Sequence, residues 1–246
     1  MLEIIAKTDV GNVREVNQDY VQFYRKNEDE CLAVLCDGMG GHNAGEVASL
    51  LAGQHIIQQY QEKDNLDSEE DIEMWMKEAV LHAHSILQQR GYEDPSLKDM
   101  GTTVVLILIK GNQYYLSHVG DSRAYYFKDH LVQLTKDDTL VNVLVDSGTI
   151  SEDEAFFHPQ KNILLQAVGV SDHLSVSFKS GEFLDGYMIL CSDGLYNSLF
   201  NQQIEEILNL DISFEKKSEQ LMKEANQFGG KDNIGFILIH KEEVSL

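Results

Sequence analysis

Four aspartates share one kind of position in the chain. Asp37 follows the apolar run 32–36 and Asp193 follows the run 188–192, each with a glycine next, so an apolar strand ending in Asp-Gly occurs twice. Asp121 sits in a turn between two strand-like runs, and Asp232 immediately precedes the last such run. A carboxylate at the mouth of a buried strand is fixed by the sheet yet reachable from solvent. Several converging there repel one another unless a cation holds them together. Hard divalent cations such as Mg²⁺ take oxygen ligands and keep several waters. Any one of these residues alone is explained by the preference of turns for Asp. The set, with its repeated Asp-Gly, points to a cation centre.

Such a centre needs strands to carry it. Residues 2–7 and 20–24 read as short strands joined by a polar loop, and 32–35 is a continuous apolar run of the kind buried on both faces. A helix is expected to begin near Asn43, with Glu46 as a capping-box partner and Val47, Leu50, Leu51 and Ile57 on one face. Ser68 with Asp71 opens a second helix, where Ile72, Met76, Ala79, Ala83 and Leu87 keep helical spacing until Gly91 stops it. Residues 102–109, 113–119, 123–127 and 131–134 are short β-type runs punctuated by Gly111-Asn112, Gly120-Asp121 and Lys128-Asp129. That pattern predicts an antiparallel meander. A more polar stretch, 137–169, follows, with a short helix at 151–154. Two more strands (175–178 and 187–190), two helices (201–208 and 214–228) and a last strand (234–239) complete the pattern. Strand runs interleaved with long helix pairs predict an α+β fold with a mainly antiparallel core.

Composition narrows the possible partners. The 246 residues are 43% hydrophobic and 24% charged, ordinary values for one large globular domain or two small ones. With 2 prolines and no low-complexity tract, nothing marks an interdomain linker. The 41 acidic residues outnumber 19 basic ones, for a net charge of −22, and no Lys/Arg block exists. A nucleic-acid backbone or an anionic membrane surface is therefore repelled. Residues 62–99 hold 11 acidic and 4 basic residues, most of them a solvated face on and around the second helix. No apolar run approaches the roughly 18 residues of a membrane helix, so membrane insertion is not expected. The start, Met1-Leu2-Glu3-Ile4, lacks a basic and then apolar leader pattern, and the expected location is cytoplasmic. Cys31, Cys36 and Cys191 have no metal-type spacing and sit in strand-like runs, as buried free thiols do.

The same residues carry a family resemblance. Arg14-Glu15-Val16-Asn17-Gln18-Asp19, Asp37-Gly38-Met39-Gly40-Gly41-His42 with Ala44-Gly45-Glu46, Met100-Gly101-Thr102-Thr103, Val119-Gly120-Asp121-Ser122-Arg123, Ser192-Asp193-Gly194 and Lys231-Asp232-Asn233 occur in that order. The series resembles that of the metal-dependent protein phosphatase 2C family, most of all its compact bacterial members, from Thr8 to Asn233. The resemblance implies one catalytic domain over 1–246. Its fold would be a four-layer α/β/β/α sandwich with two antiparallel sheets, flanking helix pairs and a flap at about 137–169. It implies hydrolysis of phosphoserine and phosphothreonine in proteins with Mn²⁺ or Mg²⁺, by direct attack of a metal-bridging water. Asp37 would bridge two metals and the Gly38 carbonyl would join the first. Asp19, Asp193 and Asp232 would complete the shell, and Asp121 with Asp193 would hold a third, weaker metal. Arg14 matches the family's phosphate-binding arginine. Partners would be phosphorylated proteins, including a membrane-anchored Ser/Thr kinase and its targets, met by a monomer.

Elementary chemistry agrees with those roles. Two metals about 3.5–4 Å apart supply hydroxide near neutral pH and offset the charge of a phosphate that so acidic a chain otherwise repels. The planar fork of Arg14 can grip two phosphate oxygens.

Three positions depart from the pattern or leave it open. Eukaryotic relatives often carry His two residues after the bridging Asp, as the proposed general acid, whereas Met39 here cannot donate a proton. His42 is the nearest titratable candidate, although a residue just before a helix can equally cap or pack. His158, in the flap, either approaches substrate or fixes the flap. Asp138 stands where relatives commonly have His, which is expected to make the flap entrance more acidic.

Other mechanisms fail on spacing. Six residues after Cys31, Cys36 and Cys191 stand Asp37, His42 and Asn197, so no Cys-x5-Arg phosphate loop exists. No two aspartates are two apart, which excludes an Asp-x-Asp phosphoryl acceptor. The glycines of 38–45 match neither Gly-x-Gly-x-x-Gly nor a P-loop. An inactive docking relative would have lost ligands, yet Asp19, Asp37, Asp193 and Asp232 are all present.

Overall fold

The computed structural model describes residues 2–40, 44–63 and 66–242. Its strands are β1 (Leu2–Asp9), β2 (Asp19–Arg25), β3 (Glu30–Met39), β4 (Gly101–Thr102), β5 (Val104–Lys110), β6 (Gln113–Val119), β7 (Arg123–Phe127), β8 (Leu131–Gln133), β9 (Ser177–Glu182), β10 (Gly186–Cys191) and β11 (Ile234–Lys241). Its helices are α1 (Ala44–Gln61), α2 (Glu69–Glu93), α3 (Leu140–Asp146), α4 (Glu152–Phe156), α5 (Asp193–Tyr196), α6 (Asn201–Leu208) and α7 (Phe214–Phe228). One antiparallel sheet has the order β1-β11-β10-β7-β8. The other has the order β2-β3-β5-β6-β9, with β4 paired to the end of β3.

Alternation along the central strands builds the layers. On β3, Cys31, Ala33 and Leu35 enter the core between the sheets, while Leu32, Val34 and Cys36 enter the core beneath α1 and α2. On β11, Ile237 and Ile239 face the inter-sheet core, and Phe236 and Leu238 pack under α6 and α7. Each fully buried aliphatic side chain in these runs stabilises the fold by about 1.5–3 kcal/mol. The result is the expected α+β fold, a four-layer α/β/β/α sandwich. All three cysteines are free and buried, as their surroundings implied.

Several expectations change in detail. The meander is interrupted: β5 and β6 pair in one sheet, but the chain then crosses to the other, where β7 pairs with β8 and β10. The crossing is made at Gly120, whose φ of +101° is one that L side chains rarely adopt. On α1 the expected Ile57 is buried and Val47 and Leu51 pack against the core, but Leu50 is exposed and the small residues Ala48, Ala52 and Gly53 share the buried face with Ile56 and Tyr60. A β-carbon on Gly53 would stand 2.2 Å from the Tyr20 ring, so the helix lies too close to β2 for larger residues. Gly91 does not end α2, which continues to Glu93 and stops just before Pro95. Strand β3 runs through Asp37 to Met39 rather than ending at the aspartate, because β4 extends its pairing. Helix α3, within the polar stretch, was not expected.

Candidate active site

Register and parity gather the aspartates at one end of the sandwich. Asp19 and Asp37 are direct partners across β2 and β3. Asp37 shares the parity of Cys31, Ala33 and Leu35, and Asp19 that of Val21 and Phe23, so both belong to the open end of the inter-sheet layer. Val104 pairs with Val119 beside this end of β3, and the chain then crosses sheets through Asp121 to Arg123, which pairs with Cys191 at the end of β10. Asp193 follows as the first residue of α5, and Asp232 lies just before β11.

Short polar residues fix these carriers. Thr103 Oγ1 accepts from the Asp37 amide at 3.0 Å, and the Asp37 carbonyl accepts from Thr102 Oγ1 and the Thr103 amide, each at 2.9 Å. Thr103 Oγ1 also lies 2.7 Å from Ser122 Oγ, beside Asp121. Both Asp-Gly pairs are explained by close backbone approach. A β-carbon on Gly38 would stand 2.0 Å from the Gly45 carbonyl oxygen, and one on Gly194 would stand 1.9 Å from that of Asn233. Asn233 joins the Arg14 loop to β11: its Oδ1 accepts from the Gln18 amide at 2.9 Å, and its Nδ2 donates to the carbonyls of Val10 and Val16 at 2.9 and 3.0 Å. Tyr196 donates its hydroxyl to the Asp121 carbonyl at 3.2 Å and lies beneath the Arg123 guanidinium, which in turn pairs with Asp137 at 2.7 Å.

The carboxylates are held in a costly state. Asp19 Oδ2 accepts from Ser192 Oγ at 2.6 Å, but the buried Asp19 Oδ1 has no hydrogen-bond partner among the described residues. Burial raises the Asp19 carboxyl to about 7. Asp193 is also pushed up to about 7, by burial and then by Asp121 and Asp232. Asp121 is raised to about 6 by burial and then by Asp137. Asp37 is held well above the carboxylate range by burial and by Asp19, Asp193, Asp121 and Asp232. Arg14 Nη2 donates to Asp232 Oδ2 at 2.8 Å from a side chain 52% exposed.

Arg14, Asp37, Gly38, Asp121, Asp193 and Asp232 all line one cleft of about 350 Å³, together with Asn162 and Leu164 of the 137–169 stretch. Asp19 does not line it and stands beside Asp37 as its cross-strand partner. His42 lies outside the described residues. His158 accepts from the Gln160 amide at 3.2 Å and is not part of the cleft wall. Asp138 is half-buried, its Oδ2 accepts from the Gly120 amide and from Gln166 Nε2, both at 2.8 Å, and its charge adds to the rise of the Asp121 carboxyl. Thr103, Ser192 and Asn233 were not recognised from sequence as site residues, although each lies inside a quoted motif.

Among the described residues, no three or more His, Cys, Asp or Glu side chains form a finished metal cage. The donor set nevertheless fits a hard cation. All its members are oxygen donors, one buried carboxylate oxygen is unpartnered, and the cleft leaves room for the waters such an ion keeps.

An α/β/β/α sandwich with mutually repelling aspartates at the mouth of its sheets, and an arginine across from them, defines a class of metal-assisted phosphate-ester hydrolases. Residues 12–235 match the family model described as protein phosphatase 2C. The chain is 34% identical over 242 residues to the serine/threonine phosphatase stp of Listeria monocytogenes, covering 96% of this chain and 94% of that one. It superposes on the S. agalactiae serine/threonine phosphatase with a TM-score of 0.92 at 33% identity, covering 98% and 100% of the two chains. The catalytic domain of the serine/threonine phosphatase PstP, in complex with 2 manganese ions, gives a TM-score of 0.82 at 33% identity and 97% coverage of both. The chain belongs to the protein phosphatase 2C family, in its bacterial form. It is a metal-dependent serine/threonine phosphoprotein phosphatase.

Proposed function

We propose that the cleft hydrolyses phosphoserine and phosphothreonine with Mn²⁺ or Mg²⁺ held between the two sheets. Asp37 and the Gly38 carbonyl would hold the core ions, Asp193, Asp232 and Asp19 would complete the donor set directly or through waters, and Asp121 with Asp193 would serve a third, weaker ion. When bound, the cations act as Lewis acids and supply a nucleophilic hydroxide near neutral pH for direct attack on phosphorus. The protein's own residues position the reaction. Arg14 lines the cleft with Asp37, Asp193 and Asp232, and its guanidinium can hold two phosphate oxygens in a fixed plane. Thr102 and Thr103 fix the backbone of Asp37, and Ser192 holds the Asp19 carboxylate, before any ligand arrives. The observation that carries this reading is the buried carboxylate group itself, with Asp19 Oδ1 left without a hydrogen-bond partner.

The test is Asp37→Asn and Asp193→Asn. Each should keep the fold by circular dichroism, weaken Mn²⁺ binding in calorimetry and lower Mn²⁺-dependent phosphopeptide turnover by more than about a hundredfold, the upper range for losing a mere supporting residue. Wild-type turnover in either variant would overturn the ligand assignment.

The wider reading takes phosphorylated proteins as substrates, among them a Ser/Thr kinase and its targets. It treats the chain as a monomeric, single catalytic domain over 1–246 with a flap at 137–169. Among the described residues no helix is long and apolar enough to cross a membrane. Three buried free thiols accord with a reducing compartment, so the site of action we infer is the cytoplasm.

A further inference from the structure

Asp138 lies where three segments meet. Its amide donates to the Gly120 carbonyl at 2.9 Å, its carbonyl accepts from the Leu165 amide at 2.8 Å, and its carboxylate Oδ2 accepts from the Gly120 amide. The same oxygen accepts from Gln166 Nε2, and Gln166 exchanges two further bonds of 2.9 Å with the backbone of Ser175. One side chain thus ties the sheet-crossing turn to the exit stem of the flap. The two stems also pair with each other, through a bridge between Thr139 and Leu164 and a 2.9 Å bond from the Leu140 amide to the Ile163 carbonyl. The turn carries Asp121, and the exit stem carries Asn162 and Leu164 into the cleft wall.

We propose that Asp138 is a positioning residue that sets the flap's exit stem, with Asn162 and Leu164, at a fixed separation from Asp121 and so shapes the phosphoprotein side of the cleft. The inference rests on the reading of that cleft as the phosphatase site. Gly120 is buried, so its amide has no solvent to turn to once the carboxylate is removed. What the junction needs is an acceptor oxygen rather than a charge. Both side-chain bonds end on a single oxygen, and an asparagine carbonyl with two lone pairs can accept both.

The test uses the full chain with Mn²⁺ present and three variants. In Asp138→Ala, amide hydrogen exchange should quicken about tenfold in both 119–122 and 162–175, as expected for bonds lost from a local opening unit. KM for a phosphopeptide should rise about five- to tenfold, because the wall that orients the substrate is no longer fixed. Gln166→Ala should quicken exchange only in 162–175. Asp138→Asn should return both readouts to within about twofold of wild type, since the acceptor is kept. Unchanged exchange in Asp138→Ala overturns the junction. Loosened segments with an unchanged KM overturn its role in substrate handling, and an Asp138→Asn variant as impaired as alanine shows that charge, not the junction, is what matters. Failure of the underlying phosphatase reading would show separately, in the Asp37→Asn enzyme.

Discussion

The proposed role of Arg14 depends on its identity more than on its charge. The residue stands on a loop with half its side chain exposed, donates to Asp232 and lines the cleft with Asp37 and Asp193. An exposed pair of this kind contributes little to stability, on the order of 1 kcal/mol or less. On the proposed reading its value would lie in the planar fork, which a phosphate can engage with two parallel bonds. Arg14→Ala is expected to lower phosphopeptide kcat/KM by about a hundredfold, the scale of losing one preorganised donor to the developing charge. Arg14→Lys should stay nearer to alanine than to wild type, because an ammonium is a point charge. Mn²⁺ affinity should stay unchanged or tighten, since Asp232 loses its competing partner. Steady-state kinetics beside calorimetry would decide, and a parallel loss of metal binding would refute the role.

Elements, rather than isolated residues, decide whether Arg14 is in reach. The loop that carries it is held by Asn233, which is 5% exposed and makes three bonds to residues 10, 16 and 18. Asn233→Ala strands those backbone groups and should lower unfolding free energy in urea by about 2–3 kcal/mol. It should also raise KM for phosphopeptide, a change that a purely global destabilisation would not produce at low temperature. This clamp shows where sequence reading stopped. The strand-end aspartates were legible because Asp-Gly after an apolar run has a narrow set of structural uses. Asn233, Ser192 and Thr103 look like ordinary polar residues in a chain full of them, and their value depends on which strands become neighbours. The sheet crossing at Gly120 was read as one more hairpin, since a turn that stays in a sheet and one that leaves it share the same residue types. Helix α3 was invisible because Leu140–Asp146 is a run of β-branched and aliphatic residues with no stripe to betray its period. For Asp138 the sequence shows only an added acid at the flap entrance, since its hydrogen-bond partners lie 18 and 28 residues away.

For the whole molecule, the buried carboxylates make stability depend on pH and metal together. Asp19 and Asp193 stand near 7 and Asp121 near 6, all above their unfolded values. The folded state therefore holds protons that the unfolded chain has released, and the contribution of these groups is full below about pH 4 and lost as pH rises through about 6 to 7. On the proposed ligand assignment a bound cation would replace those protons. The rise in Tm that Mn²⁺ produces over EDTA should thus grow from pH 5 to pH 8, and a rise independent of pH in scanning calorimetry would contradict the coupling. The sheet order has a consequence of another kind. Strand β11, the last among the described residues, lies between β1 and β10, and Asp232 stands at its entrance. During synthesis, β2, β3, β5 and β6 can pair as each is made, but β1 waits for its neighbour until residues 234–241 leave the ribosome. On the proposed ligand assignment, a half-made chain carries Asp19 and Asp37 without Asp193 and Asp232, so activity is expected only once β11 has paired between β1 and β10.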